Sequence, residues 1–66
     1  MRLINTFNNS ISDTTARIYY SEELEEFQIK FFTERQHRPT MDYFTDDRQD
    51  AISTAQQVLF DLALEA

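Results

Sequence analysis

Few side chains in this sequence are of types that support catalysis. There is one histidine, His37, and no cysteine, so a thiolate nucleophile and a cysteine-ligated zinc ion are excluded. His37 stands in a charged stretch beside Arg35 and Arg38, which indicates a solvated loop position rather than the base of a Ser-His-acid triad. The sequence also has no glycine, the residue that lets phosphate-binding loops bring backbone amides close to a nucleotide. We therefore predict no catalytic residue and no cofactor, and expect a protein that is not an enzyme.

The acidic side chains form two groups along the chain. Four glutamates lie within residues 22–26 without the ligand spacing of a calcium-binding loop, which predicts a solvated acidic turn. Three aspartates lie within residues 46–50, at the start of a predicted helix, where carboxylates stabilise the positive end of the helix dipole. Their position explains these aspartates, so no metal site is predicted.

The size and charge of the chain limit its architecture and its partners. A chain of 66 residues buries only roughly 60% of the surface that its unfolded form exposes, which allows one domain with one modest core. The net charge of −6 opposes non-specific contact with nucleic acid and with lipid headgroups. No apolar run reaches the ~20 residues of a membrane span, and the first residues lack the apolar stretch of a secretory signal. Together with the absence of cysteine, this predicts a cytoplasmic protein.

The hydrophobic pattern divides the chain into three parts. Residues 1–15 are an arm or an extra element, residues 16–45 a sheet, and residues 46–65 a helix. Period-two alternation runs from Ala16 to Tyr20 and again from Glu26 to Thr33, which predicts a hairpin. Without glycine, its loop is expected to be longer than two residues. After a connection over residues 34–40, residues 41–45 form a short third strand with Phe44 facing the core.

The helix is the strongest local signal. Asp46 is predicted to cap it by accepting a hydrogen bond from the amide of Gln49, whose side chain reaches back. Apolar residues then follow at i, i+3, i+4 and i+7 spacing and form a stripe that packs on the sheet. The stripe contains Ala51, Ile52, Ala55, Val58, Leu59, Leu62 and Ala63. The predicted fold class is therefore α+β, a three-stranded antiparallel sheet packed on one C-terminal helix in the order β-β-β-α.

The sheet face away from the helix is the first candidate binding surface. Alternation places on it three aromatic rings, two cations, one amide and one thioether. The predicted residues are Arg17, Tyr19, Gln28, Lys30, Phe32, Met41 and Tyr43. Aromatic and cationic side chains together are typical of a protein contact or of a sheet-mediated dimer. The alternative is that the N-terminal arm covers this face.

The second candidate surface is a flank of the helix. Phe60 and Leu64 lie one turn apart and off the apolar stripe, at about 100° per residue. They need a cover, which is either an apolar residue of the N-terminal arm (Leu3, Ile4 or Phe7) or a partner or second copy of the chain.

The order strand, strand, strand, helix resembles two families of DNA-binding domain. The helix is entered through Asp42-Tyr43-Phe44-Thr45-Asp46-Asp47 and continued by Ala51-Ile52-Ser53-Thr54-Ala55. Over residues 16–62 the chain is similar to the plant ethylene-response-factor domain and to the arm-binding domains of phage integrases. The resemblance implies that the sheet face enters the major groove, with Arg17 and Lys30 as DNA contacts. Those domains are strongly basic, whereas this chain has a net charge of −6, so sheet-mediated nucleic-acid binding is the alternative hypothesis.

The compact, acidic, glycine-free composition also resembles the small accessory proteins of bacterial viruses, many of which bind and inhibit a host enzyme or defence complex. The leading prediction is therefore a non-catalytic protein-interaction module, an inhibitor or adaptor directed at a host or defence protein. A protein partner is expected, a homodimer is a further way to cover the apolar surfaces, and no membrane partner is expected. The residues predicted to contact the partner are Arg17, Tyr19, Lys30, Phe32, Tyr43, Phe60 and Leu64.

Overall fold

The structure, a computed structural model, describes residues 1–33, 36–38 and 41–65, except for the side chains of Gln36 and Glu65. In this part of the chain five strands precede one helix. They are β1 Arg2–Asn9, β2 Thr14–Ser21, β3 Glu26–Thr33, β4 Gln36–His37, β5 Tyr43–Thr45 and α1 Arg48–Glu65. The fold is α+β, an antiparallel sheet with one C-terminal helix, as the sequence predicts.

The sheet is four strands wide rather than three. The long strands lie in the order β1-β2-β3, and the short strands β4 and β5 pair with successive parts of the remaining edge of β3. The additional strand is β1, in the segment predicted as an arm. It pairs with β2 from Arg2 opposite Tyr20 to Asn9 opposite Thr14.

A β-bulge explains why the pattern of β1 is hard to recognise. The register shifts between Leu3 and Asn5, so one extra residue, Ile4, is inserted opposite β2. Ile4 and Phe7 are three residues apart, which is a helical spacing, yet both pack against the core. The bulge therefore replaces period-two alternation with a spacing that is typical of a helix.

Asparagine and aspartate take the place of glycine in the first turn. The Asn9 Oδ1 atom accepts hydrogen bonds from the amides of Ile11 and Ser12, at 2.9 and 3.3 Å, and Asp13 adopts a positive φ of 51°. These residue types tolerate the left-handed region better than most others. Local Asn and Asp residues thus form this turn in a chain without glycine.

The β2–β3 hairpin has the longer loop that the sequence predicts. Ser21 pairs with Glu26, so four residues form the loop, and Glu25 adopts a positive φ of 52°. Leu24 in this loop is exposed. The loop is therefore held by its backbone and by the Ser21 hydroxyl, which accepts a hydrogen bond from the Leu24 amide at 3.3 Å, and not by apolar packing.

The predicted phase of the third strand is wrong. In β5, Phe44 lies opposite Gln28 and Tyr43 lies opposite Ile29, and residues directly opposite each other share a face. Tyr43 is therefore on the helix side, where its hydroxyl donates a hydrogen bond to the Asp50 Oδ2 atom at 2.8 Å. A strand of three residues with adjacent aromatic side chains is too short for alternation to fix its phase.

The predicted connection over residues 34–40 contains β4. Its residues 34, 35, 39 and 40 lie outside the described residues. His37 pairs opposite Phe32, so it occupies a strand position rather than a loop. Met41, predicted on the face away from the helix, packs against the core instead.

The core lies between the sheet and α1, where the sequence predicts it. The sheet contributes Ala16, Ile18, Ile29 and Phe31, all essentially inaccessible to solvent. The helix contributes Ala51, Ala55 and Leu59 from the predicted stripe. The small alanine side chains on this helix face leave the space that Phe31 and the isoleucines fill. An Asn9 Nδ2 hydrogen bond to the Leu59 carbonyl, at 3.5 Å, links β1 to the helix.

The N-cap of the helix lies one residue later than predicted. Asp47, not Asp46, is the N-cap, because its Oδ1 atom accepts hydrogen bonds from the amides of Gln49 and Asp50, at 2.9 and 3.4 Å. The Gln49 side chain donates forward to the Ser53 hydroxyl, so the predicted reciprocal bond is wrong. No helix within the described residues is long and apolar enough to cross a membrane.

Candidate functional site

The sheet surface opposite α1 is not covered by any of the described elements. The N-terminal segment does not fold over it, because β1 extends the sheet sideways. Strand register places residues of β1–β5 on this surface, and we call seven of those from β2–β5 the outer face. They are Arg17, Tyr19, Gln28, Lys30, Phe32, His37 and Phe44. The sequence predicts five of these positions, whereas the structure moves Met41 and Tyr43 to the helix side and adds His37 and Phe44.

Two cations on the outer face lie over aromatic rings. The Arg17 guanidinium carbon is 4.8 Å from the centroid of the Phe32 ring, and the Lys30 ammonium is 5.3 Å from the centroid of Tyr19. Both contacts run diagonally between β2 and β3, since Thr15 is the residue directly opposite Phe32. Such contacts contribute about 0.5–1 kcal/mol each at exposed sites. They hold long side chains in defined positions on an open surface.

The two cations also oppose each other. Arg17 and Lys30 are direct cross-strand partners, an arrangement that destabilises a sheet when the charges have the same sign. Among the described residues, the ion pairs are Arg2 with Glu22 and His37 with Asp42, so no described carboxylate lies within 4 Å of either cation. The outer face thus has a local positive charge on a chain of net charge −6.

A polar cluster continues the outer face toward β4. The His37 ring lies 5.2 Å from the Phe32 ring, and its Nε2 atom is 2.9 Å from the Asp42 Oδ1 atom. The Gln28 amide donates to the other oxygen of Asp42 at 3.5 Å. The described contacts of His37 are therefore a carboxylate and a phenyl ring, which hold the imidazole on the outer face.

A depression opens at the end of the outer face nearest the β1–β2 turn. It has a volume of about 360 Å³ and is lined by Asp13, Thr15, Arg17 and Phe32. Its walls are thus one aromatic ring, one arginine, one threonine and the carboxylate of Asp13. Arg17 belongs both to this depression and to the pair with Lys30, so a group that fills the depression also lies beside a positive charge.

A second cleft, of about 300 Å³, lies where the sheet extends past the start of α1. Tyr20 and Phe27 form an aromatic pair there, with ring centroids 4.9 Å apart. Arg2 and Arg48 line the cleft together with Glu25 and Asp46, so charges of opposite sign alternate around it. This cleft has no net preference for the charge of a ligand.

The hydrogen bond between Tyr43 and Asp50 changes the pKa of both side chains. The bond from the Tyr43 hydroxyl lowers the pKa of Asp50 below its ordinary value of 3.8, with a further contribution from Thr45. The same bond raises the pKa of Tyr43 above its ordinary value of 10.0. Tyr43, predicted to contact a partner, is therefore engaged on the helix side and ties β5 to the first turn of α1.

The flank of the helix is exposed. Phe60 and Leu64 have 58% and 70% of their surface accessible, and the expectation that the N-terminal segment covers them is wrong. Ile4 and Phe7 pack against the core and Leu3 is itself exposed. These side chains are used or solvated elsewhere because β1 is a strand of the sheet. Phe60 and Leu64 therefore form a small apolar surface separate from the outer face.

The described residues contain no group of three or more His, Asp or Glu side chains in a metal-binding arrangement. Comparison with known proteins finds that no protein family, curated protein or solved structure matches the chain. None of the comparisons points to a function.

Proposed function

We propose that the protein is a non-catalytic protein-binding module and that the outer face is its contact surface. The observation that supports this proposal is an uncovered sheet face on which aromatic rings and cations interleave. Three large rings are exposed or partly exposed there, those of Tyr19, Phe32 and Phe44, and 52% of the Phe44 surface is accessible. Aromatic residues and arginine are enriched in protein interfaces, whereas most surface residue types are not.

The contacts within the outer face favour binding. Rings held by cations on neighbouring strands lose little freedom when a partner covers them, because their rotamers are already restricted. Phe32 is restrained in this way on two sides, by Arg17 and by His37. A rigid aromatic centre surrounded by polar groups is the usual arrangement of an interface hot spot.

Nucleic-acid binding is the second candidate function. It is favoured by the adjacent cations Arg17 and Lys30 and by the aromatic rings beside them, since bases stack on such rings in single-strand binders. With two phosphate contacts, a plot of the logarithm of the binding constant against the logarithm of the salt concentration would have a slope of only roughly −1.4 to −1.8. With a net charge of −6 opposing the approach of a polyanion, a protein partner is the better supported candidate.

Quantitative affinity capture from a lysate of the native host tests the proposal. We expect that at least one protein is retained by the wild type and lost with Tyr19→Ala and Phe32→Ala. Phe60→Ala is the control, because it removes an aromatic ring from the helix flank, which is separate from the outer face. A partner lost with Phe60→Ala and kept with Phe32→Ala would transfer the function to the helix flank. Retention of every partner by the outer-face variants would contradict the proposal.

A further inference from the structure

We infer that the partner of the outer face is an acidic peptide segment in which a carboxylate side chain stands next to an aromatic or large aliphatic one. The inference rests on the proposed function and specifies the chemistry of the partner. The carboxylate binds between Arg17 and Lys30, and the apolar side chain fills the depression beside Phe32.

The cationic pair provides the first argument. Arg17 and Lys30 face each other across β2 and β3, and neither has a described carboxylate within 4 Å. Within the described residues, no side-chain hydrogen bond uses either cationic group, and both are held by rings instead. Their N–H donors therefore have no protein partner among the described residues, and one anion placed between them would remove the repulsion and satisfy several donors at once.

The depression provides the second argument. Its volume of about 360 Å³ falls at the lower end of the ~300–1,000 Å³ range of ligand pockets, which suits one large side chain of a segment. The Phe32 ring offers an apolar wall and Arg17 links the depression to the cationic pair. An apolar side chain and an acidic one close together in a single segment therefore meet both features.

The charge of the rest of the molecule provides the third argument. A basic segment would be drawn to the acidic loop at residues 22–25 or to Asp46 and Asp47 before α1, and it would be repelled by Arg17 and Lys30, although Asp13 lines the depression. The net charge of −6 opposes a short acidic segment less than it opposes a nucleic acid, because the segment carries few charges and repulsion beyond about 8–10 Å is screened at physiological salt. The local cations thus decide which segment binds, and they select an acidic one.

Peptide titrations followed by amide NMR shifts of the full chain test this inference. The probes are short peptides with a central phenylalanine flanked by glutamates, by serines or by lysines, and a single-stranded oligothymidine. We expect the glutamate peptide to shift the amides of Thr15, Arg17, Lys30 and Phe32, and to bind roughly threefold to tenfold more tightly than the serine peptide. The lysine peptide is expected not to shift these amides.

Variants that change the charge at positions 17 and 30 test whether the cationic pair is responsible for the binding. Arg17→Glu places a carboxylate opposite Lys30, so it should raise the melting temperature and abolish binding of the glutamate peptide together. The double variant Arg17→Glu/Lys30→Glu should prefer the lysine peptide. Equal binding of the three peptides, failure of the glutamate peptide to bind, or shifts at these amides with the oligothymidine alone would overturn the inference.

The two proposals fail in different ways. A cellular partner that is lost with Phe32→Ala but retained by Arg17→Glu/Lys30→Glu would leave the outer face as a protein-binding surface and refute the acidic segment. A partner that all outer-face variants retain would refute the proposed function itself.

Discussion

Phe31 and Phe32 are adjacent in β3, and their replacement by alanine should have very different effects on stability. Phe31 is 1% exposed and lies among the buried residues of the core. Phe32 lies on the outer face. Among the described residues, its ring contacts the Arg17 guanidinium and the His37 imidazole. The pair therefore tests whether the two faces of the sheet differ as the structure shows.

The expected costs follow from these surroundings. Removing a buried phenyl ring costs about 3–5 kcal/mol, whereas a chain of 66 residues has a total free energy of unfolding of about 3–10 kcal/mol. Phe31→Ala should thus remove about a third or more of the free energy of unfolding, and all of it if the total lies near the lower end of this range. Phe32→Ala removes a partly exposed ring with one cation–π contact and one ring contact, so it should cost about 1–2 kcal/mol. Each kcal/mol corresponds to a fall of about 4–8 °C in melting temperature.

Urea and thermal unfolding followed by far-UV circular dichroism measure both variants. Phe31→Leu, which leaves a smaller cavity, provides a folded core variant if Phe31→Ala does not fold. A cost of 3 kcal/mol or more (about the full cost of a buried ring) for Phe32→Ala would refute the reasoning, since the ring would then be packed in the folded protein. A melting temperature that rises with protein concentration would identify a second copy as the cover.

Three further predictions concern the helix. Asp47→Ala should cost about 1 kcal/mol in urea unfolding, as loss of an N-cap does, and Asp46→Ala, the adjacent control, much less. Tyr43→Phe should destabilise the protein at neutral pH by removing the bond to Asp50. The pKa of Asp50 is lower in the folded protein than its ordinary value of 3.8. The stabilisation by the bond from Tyr43 is therefore present above pH 3.8 and is lost as the pH falls through the folded-state pKa. The unfolding curves of the wild type and of Tyr43→Phe should thus converge in acid. Phe60→Ser should change the free energy of unfolding by less than about 0.5 kcal/mol, since its ring is exposed.

The parts of the fold that the sequence predicts are those with a long, regular pattern. Strand β3 has the predicted bounds Glu26–Thr33, and β2 and α1 begin within two residues of their predicted starts. Strand β1 was missed because one inserted residue, Ile4, breaks the alternation. A bulge has no sequence signature of its own, so a long strand that contains one loses the period that would identify it.

The members of the outer face that the sequence predicts are those on the long, regular strands. Arg17, Tyr19, Lys30 and Phe32 belong to the long strands, and their place on the outer face follows from alternation. The remaining members of the face depend on pairing of short segments with the edge of β3. His37 reaches the face through a strand of two residues, and nothing in the local sequence distinguishes that strand from a loop.

The cationic pair breaks a local rule that the rest of the sheet obeys, and this is a physical reason to place function there. A carboxylate at position 17 would pair with Lys30 and remove the repulsion between the strands. Sequences depart from local consistency mainly at functional sites, where stability is given up for a property of the surface. Because the core uses Ile18, Ile29 and Phe31 on the opposite face, the outer face tolerates this cost without loss of the fold. If Arg17→Glu raises the stability of the protein and abolishes binding, the cationic pair lowers stability in return for binding.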